Sequence, residues 1–183
     1  MAEDNNTNPA IYPTSFGLFP VHPVPEPFLN QIGDLTVSFS LLEEVIKDLV
    51  RLCIKHTDRV IQIITAELSF KNIRALVINL FSERGKTDQY YLKVKELMKR
   101  AAFIEERRNQ IIHGSWLAGS NENHIKLRKI TAKEGKGLID KQLEISLELL
   151  SDLVLYVKHL TGDFIEFSHD FALVTNQHSL LRY

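Results

Sequence analysis

The chain has 183 residues, enough for one domain with a real core, and it carries 44% hydrophobic and 25% charged residues, as soluble globular proteins do. Its formal net charge of −1 excludes a broad electrostatic nucleic-acid binder, which would be clearly basic, though not a local basic cleft. No run approaches the roughly 18 apolar residues that a membrane span needs, so no membrane partner is expected.

The N-terminus, Met-Ala-Glu-Asp-Asn-Asn, is polar and acidic and does not read as a secretory signal. Cys53 is the single cysteine, so no internal disulfide can form. Its place in an apolar stripe reads as a small buried hydrophobe, and a reducing cytoplasmic setting fits.

All six prolines lie within the first 27 residues. This break in composition separates an extended Pro-rich arm, residues 1–27, from a single helical domain, residues 28–183. The arm also holds Ile11, Tyr12, Phe16, Leu18 and Phe19, too apolar for a solvated tail, which predicts that it packs on its own domain or on a partner subunit.

From about Phe28 the pattern is helical. Leu35, Phe39, Leu42, Ile46, Leu49 and Cys53 recur at helical spacing and form the core stripe of a long first helix. Asp58 is the expected cap of a second helix carrying Val60, Ile64 and Leu68. Ser69 reads as a further cap, before Ile73, Leu76, Val77 and Leu80 on a helix reaching about Glu83. Gly85 breaks the chain, and Thr87 is the expected cap of the third main helix.

That helix spans about Asp88 to His113 with Val94, Leu97, Ala101, Ile104 and Ile111 inward. Residues 114–137 are rich in turn formers, and His124 to Thr131 alternates like a strand, so a short β-hairpin or loop insertion is expected there. Asp140 is the expected cap of the last long helix, with a stripe of Leu143, Leu147, Leu150, Val154 and Val157. Leu149, Leu153, Leu160 and Phe164 form a second stripe beside it, an arc wide enough for a bundle interior or a dimer seam. The predicted fold is an all-α, up-and-down bundle of four to five helices with an insertion after the third main helix.

The chemistry concentrates at Arg107-Arg108-Asn109-Gln110-Ile111-Ile112-His113-Gly114. Gly114 can end the helix, which sets an arginine, an amide and a histidine near that end. Such a trio can hold a phosphodiester and move a proton without a metal. Glu106, Asn109 and His113 fall on one polar stripe. Arg108 falls between Ile104 and Ile111, on the apolar side, and diverges from His113 by roughly 140° around the axis. A cation there needs a carboxylate, for which Glu43 beside the first helix's stripe is the best candidate, or an interface.

The spacing Arg-Asn, three residues, His resembles the Rx4H signature of the HEPN superfamily, small all-helical domains of which many are ribonucleases. The helical plan, with the motif at the end of the third main helix, is similar to that family's. The resemblance implies a homodimer in which both motifs meet, and a metal-independent endoribonuclease. In that reading His113 is the general acid or base for attack of a ribose 2′-OH. Arg108 stabilises the phosphorane-like charge, and Asn109 orients or donates a hydrogen bond. The products implied are a 2′,3′-cyclic phosphate and a 5′-OH. Glu106 and Glu43 would support the site, and Arg107, in a cluster with Lys99, Arg100 and Arg108 near the helix end, would contact RNA; Trp116 either stacks on a base or, the favoured alternative, is buried against the bundle. The resemblance also implies a toxin or defence role, with an antitoxin or other regulatory protein as partner. Family toxins paired with a small nucleotidyltransferase typically carry Tyr two residues after the His, where this chain has Ser115.

The alternative of the same fold is a non-catalytic helical module that binds RNA or protein. No metal or cofactor is implied, since the seven histidines make no HExxH and no cysteine pair exists. Gly85-Lys86-Thr87 lacks the first P-loop glycine, Leu80 standing in its place within a helix.

Overall fold

The computed structural model describes residues 24–54, 56–133 and 137–180, side chains at 118, 131–140 and 176–180 excepted. Of the Pro-rich arm expected over residues 1–27, residues 1–23 and the packing expected of them lie outside the described residues, while Val24 is buried and Glu26 and Pro27 already belong to the first helix.

Among the described residues, five helices and a three-stranded antiparallel sheet follow one another in the order α1 (Glu26–Ile54), α2 (Asp58–Ala66), α3 (Phe70–Ser82), α4 (Gln89–His113), β1 (Ser115–Ala118), β2 (His124–Lys133), β3 (Gly137–Ser146) and α5 (Leu147–Leu180). The all-α bundle with an insertion after the third main helix is therefore the fold. The insertion is larger than a hairpin, with sheet order β1-β2-β3.

Each long helix buries most of the stripe its sequence predicts, the exceptions being Cys53 and Leu147, which are half-buried, and Leu143, which is exposed. Leu35, Phe39, Leu42, Ile46 and Leu49 of α1 are buried, and so are Val94, Leu97, Ala101, Ile104 and Ile111 of α4. In α5 the stripe of Leu150, Val154 and Val157 continues through Leu160, Phe164, Phe167 and Phe171. The bundle is tied across its surface. Arg74 of α3 pairs with Glu105 of α4 at 2.6 Å, and Arg100 of α4 pairs with Asp163 of α5 at 2.7 Å.

Lys158 of α5 donates to Asp34 of α1 at 2.7 Å. That hydrogen bond holds the Asp34 carboxyl below its ordinary range. Its contribution to stability is present above the ordinary carboxylate range and fades as pH falls through the lowered value. At the other end of the bundle Arg84 covers Phe171 of α5 and also acts on Cys53 of α1, so α1 and α5 run side by side in the same direction.

Burial pushes the Cys53 thiol up to about 11. At pH 8 almost none of it is thiolate, the reactive form. The native protein is therefore expected to react with iodoacetamide at least about tenfold more slowly than a free cysteine, and the unfolded chain at the free rate. Mass spectrometry of timed alkylation reads this, and equal rates would show that the thiol is not held in the core.

Several local expectations are corrected. Thr57 occupies the cap position of α2, with Asp58 its first residue. The buried face of α2 is Ile61 and Thr65, while Val60 and Leu68 are half-buried and Ile64 is exposed. Thr65 can sit inside because its hydroxyl donates to the Ile61 carbonyl at 2.9 Å, which leaves no polar group unsatisfied. Ser69 caps α3 as expected, accepting from the Asn72 amide. Asp88, not Thr87, caps α4, accepting from the Tyr90 and Tyr91 amides.

The last helix starts later than the sequence suggests. Asp140 lies in β3 opposite Ile130, and Leu143 lies in β3 opposite Leu127. The spacing of Leu143, Leu147 and Leu150 mimics a helical stripe, but Leu143 and Ile145 obey the two-residue repeat of a strand. Strand passes directly into helix at Ser146, whose hydroxyl accepts from the Leu149 amide at 3.0 Å.

Candidate functional site at the end of helix α4

The sheet folds back on the end of the bundle where α1 and α5 begin and α4 ends. Ile125, Leu127 and Ile145 are the buried strand residues that hold it there. Gly114 makes the junction from α4. Its backbone is extended, with φ −84° and ψ 159°, so it does not end the helix through a left-handed turn. Space selects the glycine instead. A Cβ there would stand 2.3 Å from Leu127 Cδ1 and 2.8 Å from the Gln110 carbonyl.

Arg108 points toward α1. Its guanidinium lies over the Phe39 ring, 5.4 Å from the centroid, and its side chain is half-buried. One terminal nitrogen donates to Asn109 Oδ1 at 3.1 Å. Its Nε is buried and has no hydrogen-bond partner. Among the described residues no carboxylate pairs with it. Glu105 is held by Arg74 at 2.6 Å, and Glu43, the expected partner, is held by Lys47 at 3.2 Å. The cation on the apolar side of α4 is thus covered by an aromatic face and an amide and is not neutralised.

His113 ends α4, exposed, and makes no hydrogen bond with a described residue. Five residues along a helix set it roughly 7.5 Å further along the axis than Arg108 and roughly 140° around it. The structure therefore brings Arg108 and Asn109 together and leaves His113 on its own. Glu106 does not join Asn109 or His113. It accepts from Gln110 at 3.3 Å, on the face where Arg107 also bonds Gln110, at 3.4 Å. Arg107 lies over the Phe103 ring at 5.3 Å. Trp116 is half-buried, packed against the core and opposite Leu127 in the ladder, so little of its face is open for stacking.

Compared with protein-family models, with curated proteins and with solved structures, the chain matches none. The described residues include no group of three or more His, Cys, Asp or Glu placed to hold a metal ion. No described helix is long and apolar enough to cross a membrane.

A groove of about 400 Å³ opens on the other side of α4, between α4, α5 and the sheet. Its walls include Phe103, Arg107, Leu143, Leu149, Leu153 and Tyr156. Leu149 and Leu153, expected to join a second core stripe, line this groove, and Leu149 is 54% exposed. Phe103 and Tyr156 meet edge to face at 6.3 Å on its outer side. Sequence reasoning missed both the groove and the Phe39 cover of Arg108. Each joins residues from distant elements, and the one local signal was the doubled apolar arc of α5.

Proposed function

We propose that the chain is a HEPN-type, metal-independent endoribonuclease whose site is completed by a second copy. Arg108 of one protomer and His113 of the other would meet at one scissile phosphate. The observation that carries this reading is the state of Arg108. A half-buried guanidinium with no carboxylate partner among the described residues is costly unless an anion comes to its terminal nitrogens. Exposed His113 stands on the same helix end, and the two diverge around the axis, which favours a site shared between copies over one within a chain.

The arrangement fits the chemistry. Arg108 offers free donors to the non-bridging oxygens as charge builds on phosphorus. Asn109 holds one end of that guanidinium and leaves its own NH₂ to donate. His113, unencumbered and in water, is able to take the 2′-OH proton or return one to the leaving 5′-oxygen. Arg107, turned away toward the groove, would act on the flanking backbone only.

The test is incubation of the purified protein with single-stranded RNA in EDTA. Cleavage is expected, with 2′,3′-cyclic phosphate and 5′-OH ends. Intact RNA across varied sequences, or cleavage abolished by EDTA, would reject the reading. In that case the second reading, a non-catalytic module for a protein or RNA partner, gains from the apolar groove, which is a binding surface independent of Arg108.

A further inference from the structure

The groove beside α4 is apolar along its floor and cationic at its lip. On the strand face that forms its roof, Ile125 stands opposite Ile145 and Leu127 opposite Leu143. The next pair on that face is Lys129 opposite Lys141, both exposed. Like charges directly across a ladder repel, and neither lysine pairs with a described carboxylate. Arg107 adds a third cation from α4, bonded only to the neutral Gln110. Among the described residues Asp152 is the one carboxylate in the lining. An exposed apolar surface of this kind calls for a cover, and the cover should be acidic.

A second copy suits it poorly. A twofold contact sets the patch against itself and gathers the cations of both copies. The N-terminal segment suits it well. The first lysine or arginine of the chain is Lys47. Before residue 24 the charged side chains are Glu3 and Asp4, followed by Ile11, Tyr12, Phe16, Leu18 and Phe19.

The reach is ample. Val24 is buried just before α1, and α1 runs parallel to α5 with Asp34 on Lys158, so the segment leaves the domain at the level where α5 begins. The groove walls Leu149 and Leu153 are on those same turns of α5. An extended stretch of 23 residues covers up to about 75 Å, several times the width of one helix.

We propose that the N-terminal segment docks into this groove within its own chain, through the apolar residues between Ile11 and Phe19. Its acidic start answers Arg107, Lys129 and Lys141. Docked there, it covers Arg107 and Gln110 on the groove face of α4, the face opposite to the one on which Arg108 meets Phe39. The proposal does not depend on the ribonuclease reading.

The full-length chain with p-benzoylphenylalanine at position Phe16 tests it. After irradiation in dilute solution, the expected adducts lie within one chain on Leu143, Leu149 or Leu153. The double variant Lys129→Glu, Lys141→Glu alters only exposed side chains and should lower their yield several-fold at unchanged helix content. Adducts elsewhere on the domain, adducts between chains, or no adduct would overturn the proposal. An unchanged yield in the charge-reversed variant would overturn its electrostatic part.

Discussion

Replacing Arg108 with methionine is expected to lower RNA cleavage by at least about a hundredfold while leaving folding stability within about 1 kcal/mol of the parent. The two halves of this result have one cause. In the folded protein Arg108 has no carboxylate to lose. Its contacts are one hydrogen bond to Asn109 and the Phe39 face, together worth about 1 kcal/mol. Methionine keeps the apolar stem and recovers the cost of desolvating a charge, so the two effects nearly cancel. On the proposed ribonuclease reading, the same guanidinium would meet phosphate charge in the transition state, and there methionine would not replace it. Denaturant titration beside single-turnover cleavage reads both. A loss of 3 kcal/mol or more would make Arg108 a structural strut, as a broken buried ion pair would be.

The largest expected effect on stability lies at the far end of the bundle. Phe81 of α3 is fully buried and packs on Phe171 at 4.7 Å and Phe167 at 5.6 Å, both from α5. Tyr90 of α4 closes on the same pair at 5.4 and 6.1 Å. Phe81→Ala removes the α3 ring from an aromatic cluster to which α3, α4 and α5 all contribute, and surrounding aromatic rings collapse poorly into such a void. The expected cost is about 3–5 kcal/mol, seen as a fall of order 10 °C in melting temperature. A cost below about 1 kcal/mol would mean that the cluster is not the close-packed core described. Cleavage by the folded fraction should be unaffected, because this cluster is at the opposite end of α4 from His113.

These two sites differ in how far the sequence exposes them. The buried stripe of α1 from Leu35 to Leu49 and that of α4 from Val94 to Ile111 follow from helical periodicity alone, because a long helix against a core has one buried side. The caps of α3 and α4 are legible to within a residue: Ser69 holds its place, while Asp88 takes the role of Thr87 because its carboxylate reaches two amides. Periodicity failed where two repeats agree over a few residues. Leu143 fits both a strand and a helix, so the pattern alone extends α5 back over β3 to Asp140, six residues before Ser146 caps it. It failed also in α2, where a threonine that bonds its own helix is as well buried as an isoleucine.

At the site, the sequence places Arg108 on the apolar side and His113 away from it, and the structure agrees on both. It could not show what meets Arg108. The choice between Glu43 and an uncompensated state rests on Lys47 having taken Glu43 first, a matter of two side chains on α1. Nor could it show that Arg107 and Arg108, neighbours in sequence, serve opposite faces of α4, one toward the groove and one toward Phe39.

If one copy holds half a site, two inactive variants that each lack a different half should restore cleavage when mixed. Arg108→Ala keeps His113, and His113→Ala keeps Arg108. Each alone should be inactive. Mixed in equal amounts and allowed to exchange subunits, half of the dimers pair one of each, and each such dimer holds one intact Arg–His pair out of two. Roughly a quarter of the parent cleavage rate should return. A mixture as inactive as its components, with exchange confirmed by native mass spectrometry, would contradict the account.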